Sequence, residues 1–249
     1  MRPRLIAAAA ALFLAGAMAA SAAVPSWIAA AVANPARPQA DRDRDAARKP
    51  GEVLAFVGVR PGMQVLELIP GGGYFTRILS GAVGRRGHVT EAVPAFPNAA
   101  GDVRRTSNGV AADPHFANVS EIPMTPDALA KAGPVDLVWT SQNYHDLHLT
   151  RLHLDIIAFD KQVFAALKPG GVFFIEDHSA RLGSGTSTTD EMHRIDEALA
   201  IREVESVGFR LVDESDILRN PNDARNLNVF NPAIRGHTDQ FLLKFRKPG

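Results

Sequence analysis

The chain has 249 residues, of which 46% are apolar and 22% are charged. This is enough apolar material for one substantial core, and it excludes a disordered or fibrous protein. Lysine and arginine together number 27, as do aspartate and glutamate, so no net positive field would hold the chain on phosphates and we expect no nucleic-acid partner. The absence of cysteine excludes disulfides, thiolate metal sites and cysteine nucleophiles.

The first 22 residues have the pattern of a secretory signal peptide. A basic start, MRPR, precedes a short alanine-rich apolar run and the small residues Ala20, Ser21 and Ala22. The run is too short and too weakly apolar for a membrane anchor. We therefore predict cleavage after Ala22, a periplasmic or secreted protein, and no stable membrane anchor after cleavage.

Residues 23–50 differ in composition from the rest and are predicted to be an N-terminal extension. The apolar segment VPSWIAAAVA indicates a short helix, and the charge-dense ADRDRDAARKP that follows indicates a solvated arm. We expect the extension to pack on a domain that spans 51–249. In that domain short apolar runs alternate with helical periodicity, which is typical of βαβ units around a mostly parallel sheet.

Seven strands and three helices follow from the periodicity of the apolar residues. A helical stripe runs from Phe75 to Val83, and a second from Ile156 to Leu167 ends at the bend LKPGG. A third helix should begin with a capping box at Thr188 and Glu191, and 218–236 should be an irregular loop. The third helix should bury Met192, Ile195 and Leu199. The predicted strands are 64–69, 88–93, 116–122, 136–140, 171–177, 209–214 and 238–245.

Three glycines, Gly71, Gly72 and Gly73, separate the first strand from the first helix. Glycine permits positive φ and close approach of a ligand, and the helix N-terminus offers free N–H groups, so a nucleotide-like ligand would fit there. The glycines alone are equally compatible with a tight turn that binds nothing. Glu67 favours the ligand, because an acid in an apolar strand needs a partner. Glu91 follows Gly73 by 18 residues, near the spacing expected for an acid on a ribose hydroxyl.

Polar runs follow the fourth and fifth strands, at 141–148 and 176–178. The carboxyl ends of neighbouring parallel strands meet at one edge, so both runs should face the crevice that the glycine turn reaches. His193 and Asp196 should lie one helical turn apart on the third helix and face the same crevice. In the structural alternative, Asn143 and Asp146 cap the next helix and the histidines bond loop carbonyls.

These features resemble known proteins. Glu67, the glycine turn, LKPGG and GFRLVDES are similar to class I S-adenosylmethionine-dependent methyltransferases. QNYHDLH, LKPGGVFFIEDHSA, MHRID and TDQFLLKFRKP resemble a family of exported bacterial predicted methyltransferases, from about Asp41 to the C-terminus. Two positions depart from the class pattern: Ile69 stands where the first glycine belongs, and Val93 where the second-strand acid would fall.

The resemblance implies a fold, a reaction and a set of residues. The fold would be a Rossmann-like α/β domain with helices on both faces of a seven-stranded, mostly parallel sheet of order 3-2-1-4-5-7-6. The reaction would be methyl transfer from S-adenosylmethionine to a small-molecule acceptor, with His145 or His178 as the base and Asp146 and Asp177 orienting them. Cofactor contacts are expected from Glu67, Gly71, Gly72, Gly73, Glu91 and Asn143.

Two alternatives stay open from the residues. His145, His148, Asp177, His178 and His193 are all suitable ligands for a divalent metal, so a metal-binding protein or metal-dependent hydrolase would fit the same strand ends. An exported protein also meets little S-adenosylmethionine, which is a cytosolic metabolite. The third reading is a degenerate, non-catalytic binding module on the methyltransferase fold.

Overall fold

The structure is a computed structural model that describes residues 23–95 and 108–249. The predicted signal peptide lies outside the described residues. Within the described ranges, no helix is long and apolar enough to cross a membrane.

A seven-stranded sheet forms the centre of the molecule, in the order β3-β2-β1-β4-β5-β7-β6. Neighbouring strands are parallel from β3 to β5, whereas β7 runs antiparallel to both β5 and β6. The predicted fold class and strand order are thus confirmed. The strands are β1 Gln64–Leu68, β2 His88–Pro94, β3 Val119–Met124, β4 Val135–Ser141, β5 Leu167–His178, β6 Arg210–Ser215 and β7 Gln240–Arg246.

Helices cover both faces of this sheet, and each face has its own apolar core. On β1, Val65 packs into the first core with α1, α4 and α5, while Leu66 and Leu68 pack into the second with α6, α7 and α9. This alternation follows from the two-residue period of a strand. The helices of the described residues are α1 Ser26–Val32, α2 Gln39–Arg42, α3 Asp45–Arg48, α4 Pro50–Val57, α5 Tyr74–Val83, α6 Pro126–Ala132, α7 Ile156–Ala166, α8 Thr189–Met192 and α9 Glu197–Ser206.

The N-terminal extension packs on α5, as expected, but its arm is not simply solvated. A Cβ on Gly81 of α5 would lie 2.9 Å from the Cβ of Ala31, so glycine allows α1 to approach closely. Farther along, buried Arg37 forms an ion pair with Asp45 at 2.7 Å, and the Tyr74 hydroxyl donates a hydrogen bond to Asp45 at 2.7 Å. The expectation of a solvated arm is therefore wrong for Asp45, because its ion pair with Arg37 and its hydrogen bond from Tyr74 fix the arm over α5.

The third predicted helix is two helices, separated at His193. His193 adopts a left-handed φ of 53°, which ends α8, and the Asp196 side chain accepts a hydrogen bond from the Ala198 amide to cap α9. The hydroxyl of Thr188 donates to the Arg194 carbonyl instead of forming the predicted capping box. His193 and Asp196 therefore do not share a helix face. Of the predicted core positions, Ile195 is fully buried, whereas Met192 and Leu199 are half-buried.

Smaller corrections concern the ends of elements. The third strand begins at Val119 rather than at Phe116, which is buried in a 3-10 turn capped by Asp113. The first strand ends at Leu68, one residue before Ile69. Leu167, expected on a helix, begins β5, and the LKPGG bend forms an irregularity within that strand. The loop predicted for 218–236 is confirmed, since it contains neither helix nor strand.

Candidate functional site

A cavity of about 500 Å³ opens at the carboxyl edge of β1, β4 and β5. Its wall includes the turn after β1, the segment after β4, the end of β5, and two more distant parts of the chain. These distant parts are the arm, through Arg44 and Arg48, and the late loop, through Phe230 and Arg235. The sequence predicted a crevice at this edge, and the topology places the cavity there because the parallel strands all end on that side.

The glycine turn contributes backbone to the cavity wall. Gly71 and Gly72 line the cavity, whereas Gly73 is the N-cap of α5 and has a left-handed φ of 79°. A Cβ on Gly73 would lie 2.6 Å from Val110, but nothing lies within 4 Å of a Cβ on Gly72. The turn thus needs glycine at position 73 for packing, and at position 72 it leaves open space beside the backbone. This open space suits a ligand that approaches the main chain.

Ile69 has the backbone conformation that glycine usually provides. Its φ is 51°, although a β-branched residue rarely adopts positive φ. Its amide donates to the Ala92 carbonyl, and its own carbonyl accepts a hydrogen bond from the Asn143 amide at 2.9 Å. Ile69 therefore differs from the glycine of the class pattern in its side chain, but the backbone of the turn keeps the same shape. Such strain is typical of functional sites.

Two glutamates lie behind the glycine turn and share one hydroxyl. The oxygen of Thr76 is 2.6 Å from Glu67 and 2.8 Å from Glu91. Burial, together with the charge of Glu91, raises the pKa of Glu67 to about 8. Burial also raises the pKa of Glu91, which accepts a hydrogen bond from Asn108 at 2.6 Å. Since a hydroxyl has one proton to donate, a protonated Glu67 can donate to Thr76 while Thr76 donates to Glu91.

Only one of these acids reaches the cavity. Glu67 is part of the wall, whereas Glu91 is fully buried beneath α5 and is not. Asn143, the other side chain predicted to contact the cofactor, lines the cavity and donates its amide to two backbone carbonyls, those of Ile69 and Ser141. Asn143 therefore ties the end of β4 to the turn after β1, which fixes the shape of the wall.

Asp177, near the end of β5, holds His145 in place just beyond β4. One carboxylate oxygen lies 2.7 Å from His145 Nδ1, and the other accepts the His145 backbone amide at 2.7 Å. Burial disfavours the charged ring, but Asp177 and Asp146 outweigh burial and raise the pKa of His145 to about 9. Asp177 itself is completely buried and acts on the cavity through His145.

His145, Asp146 and His193 meet at one point of the wall. The Nε2 atom of His145 lies 3.4 Å from Asp146 Oδ1 and 3.3 Å from His193 Nδ1. His193 and Asp146 are 3.7 Å apart, and one potential ligand atom of each residue falls within 4.8 Å of the others. The left-handed residue that breaks the predicted helix thus directs its ring to the strand ends, which the helical pattern did not indicate.

The remaining predicted histidines divide between the site and the scaffold. His178 lines the cavity, and its Nδ1 lies 2.8 Å from the Thr238 hydroxyl. Burial, and to a lesser extent the charge of His145, keeps the pKa of His178 well below its usual range. His148 bonds Glu203 and the Tyr144 carbonyl on the other side of the segment. The predicted five-member metal set is therefore not assembled. The alternative capping role of Asn143 and Asp146 is also wrong, since neither side chain caps the turn that follows.

Sequence reasoning missed the arginines of the site. Arg48 donates to Ser141 at 2.7 Å and lies 3.6 Å from the buried carboxylate of Glu176. Its guanidinium also stacks 4.4 Å from the ring centroid of Tyr74. The charge-dense composition of the arm was a signal, but no local pattern indicated that this segment folds back over the strand ends.

Comparisons with known proteins support the fold. No family model matches the chain, and no curated protein is similar enough in sequence to count as a relative. Among solved structures, an S-adenosylmethionine-dependent methyltransferase from Aquifex aeolicus is 16% identical, with a TM-score of 0.52 over 82% of this chain and 98% of that chain. An arsenic(III) S-adenosylmethionine methyltransferase from Chlamydomonas reinhardtii is 19% identical, with a TM-score of 0.52 over 90% of this chain and 74% of that chain.

A third similar structure is that of the cyclase SpnF, which is 14% identical with a TM-score of 0.53 over 84% of this chain and 82% of that chain. At these identities the likeness concerns the fold. The chain has the fold of class I S-adenosylmethionine-dependent methyltransferases, and the cyclase shows that this fold also serves another reaction. The function must therefore be argued from the site.

Proposed function

We propose that this protein is a methyltransferase that uses S-adenosylmethionine and acts on a small-molecule acceptor. The main support for this proposal is the turn after β1. Ile69 has the backbone conformation that glycine would adopt, and the main chain at Gly72 is exposed to a cavity of about 500 Å³. A cavity of this size at the carboxyl edge of the strands is suited to a small ligand.

The residues present fit the cofactor. Gly71, Gly72 and Glu67 would hold it from the β1 side, and Asn143 would fix the opposing wall at the end of β4. When bound, the cofactor supplies a methyl group on a positively charged sulfur. Glu91, buried beneath Thr76, supports Glu67 from behind instead of contacting the ligand.

The side chains at the ends of β4 and β5 have separate proposed roles. His178, whose pKa burial keeps low, lines the cavity and is placed to take a proton from an acceptor that must lose one. His145 also lines the cavity, but with a pKa of about 9 it carries its proton at neutral pH and presents a positive charge. Asp177 is a positioning residue, since it fixes the His145 ring from behind, and Asp146 orients the same ring from the cavity side. Alignment of the acceptor is the main contribution expected of such a site.

Calorimetric titration of residues 23–249 with S-adenosylhomocysteine tests the cofactor site. We expect wild type to bind, and Gly72→Val to weaken binding at least about tenfold because its side chain enters the open space beside the turn. Ala165→Val, exposed on α7, is the control for an added branched side chain. Equal binding by Gly72→Val and wild type would contradict the proposal. Binding with no methyl transfer to any acceptor would favour the non-catalytic module.

A divalent metal is the second candidate, and one observation favours it: the mutual approach of His145, Asp146 and His193. Two imidazoles and a carboxylate are common zinc ligands. Zinc titration of wild type and of His193→Gln, with His153→Gln as an exposed control, tests it. Zinc bound by wild type and the control but not by His193→Gln would establish the site, and no binding by wild type would remove this candidate.

The export of the protein remains a proposal that rests on its first 22 residues. Mass spectrometry of the natively produced protein should find a chain that begins near Ala23, in the periplasm or the medium. An intact Met1 would contradict export and would place the protein with the cytosolic pool of its proposed cofactor.

A further inference from the structure

A second cavity, of about 440 Å³, adjoins the first. Arg44, Arg48 and Arg235 line both cavities, whereas Gly71 and Gly72 line only the first. Seven of the ten residues that line the second cavity also line the first, so the two are continuous and the arginines stand where they join. This arrangement is that of a cofactor cavity with an acceptor cavity beside it.

The wall of the second cavity is strongly positive. Among the described residues it contains three arginines and no aspartate or glutamate, while its one histidine, His178, is uncharged. Arg48 has Glu176 as a partner at 3.6 Å, while no carboxylate of the described residues forms an ion pair with Arg44 or Arg235. Burial and the neighbouring charges of Arg48 and Arg235 lower the pKa of Arg44. Like charges gathered around an open cavity favour an anionic occupant.

The rest of the wall indicates what kind of anion fits. Guanidinium groups bind carboxylates through paired, parallel hydrogen bonds. Gln142 donates its side-chain amide to Gln240 at 3.1 Å, so these two amides form a fixed polar floor. Val229 and the 47% exposed Phe230 form an apolar side. A small organic carboxylate would match all three parts of the wall: its charge the guanidinium groups, its polar atoms the amides, and its carbon skeleton the apolar side.

We propose that the acceptor is a small organic carboxylate, held by Arg44, Arg48 and Arg235, and that a carboxylate oxygen receives the methyl group. This deepens the proposed function and rests on it. A lone pair of the oxygen forms the new O–C bond, and the electrons of the broken C–S bond stay on sulfur. The sulfonium becomes a neutral thioether and the acceptor a methyl ester. No proton leaves the acceptor, so no base is required.

Binding of carboxylates tests the arginine site without knowledge of the natural acceptor. Protein saturated with S-adenosylhomocysteine is titrated calorimetrically with acetate, malonate and benzoate, and with the matching amides. We expect at least one carboxylate to bind about tenfold more tightly than its amide, and Arg235→Gln to remove that preference. Arg202→Gln removes the same charge from an exposed position on α9 and should change nothing.

The outcomes separate this inference from the proposed function. If every carboxylate binds no better than its amide, or if Arg235→Gln weakens binding of S-adenosylhomocysteine itself, the inference is wrong. If wild type fails to bind S-adenosylhomocysteine, the proposed function is wrong.

The product gives a second readout. Small molecules from a cell extract are incubated with the protein and S-adenosylmethionine labelled on its methyl group, and the products are treated with dilute alkali. A carboxyl methyl ester releases its label as volatile methanol, whereas methyl groups on nitrogen, carbon or ether oxygen stay bound. Labelled products that resist alkali would overturn the inference while leaving methyl transfer intact.

Discussion

Two clusters of buried carboxyl groups lie beside the cavity, and their charges are compensated differently. Beneath α5, Glu67 and Glu91 share a neutral hydroxyl, and burial raises the pKa of both, that of Glu67 to about 8. Beyond β4, Asp146 is also buried, but the charges of His145 and His193 outweigh burial and lower its pKa. The first cluster therefore retains a proton at neutral pH, and the second remains ionised.

An acid in an apolar strand therefore does not by itself mark a ligand contact. Glu67 and Glu91 are neighbours in the register of β1 and β2, so they share one face of the sheet and meet under the same helix. Their cost of burial is reduced by protonation and by Thr76. Asp146, after β4, and Asp177, near the end of β5, instead have imidazole partners, and Asp177 also accepts backbone N–H groups.

The largest effect should come from breaking the ionised cluster. Asp177→Asn replaces the carboxylate that accepts the His145 amide, His145 Nδ1 and the His178 amide, each at 2.7 Å. Loss of one partner of a buried charged pair costs about 3 to 5 kcal/mol, which urea unfolding would measure. Asp155→Asn, at the exposed N-terminus of α7, is the control and should change stability by less than about 0.5 kcal/mol. A loss below about 1 kcal/mol for Asp177→Asn would argue against a tightly held His145.

An intermediate effect is expected from the protonated cluster, and it depends on pH. The pKa of Glu67 rises from 4.5 to about 8 on folding, so the folded state binds more protons than the unfolded state between these values. Stability should fall as pH rises through this window, by at most about 1.4 kcal/mol per pH unit. Glu67→Gln resembles the protonated acid and should remove the fall, making the variant more stable than wild type by about 2 kcal/mol at pH 6 and by more at higher pH.

Unfolding in urea at several pH values between 5 and 9 measures this difference. Glu121→Gln is a matched control, because Glu121 pairs with Glu91 in the sheet register but is exposed on β3. An identical pH slope for wild type and Glu67→Gln would show that Glu67 is not protonated in the folded protein.

The smallest effect should separate the scaffold from the site. Asp196 caps α9 and also accepts the Gly183 amide at 2.9 Å. Asp196→Ala should cost about 1 to 2 kcal/mol of stability, whereas Asp196→Asn keeps most of the cap. Binding of S-adenosylhomocysteine should be unchanged in both variants. If Asp196→Ala instead lost binding while keeping its stability, Asp196 would contribute to the ligand site, as the sequence pattern had predicted.

Much of the fold followed from local patterns. The stripe on α5 is dictated by burial, which repeats every 3.6 residues on a helix, and β1 is a short apolar run that is buried on both faces of the sheet. The pattern failed at α8, where the apolar spacing through Met192, Ile195 and Leu199 suggested one helix. The apolar pattern does not reveal that His193 adopts a left-handed conformation. A polar residue at this spacing is equally compatible with an exposed position on a continuous helix.

The sequence alone determined that the chain forms an α/β sheet with a glycine turn after the first strand and polar residues after the fourth and fifth. These features are local, since each depends on a few consecutive residues and on the period of one element. The tertiary structure alone decided that Ile69 retains the glycine conformation, that Glu91 lies beneath a helix, and that Arg44, Arg48 and Arg235 meet at the cavity. The physical reason is that these outcomes depend on contacts between segments far apart in the chain, whose packing no local pattern records.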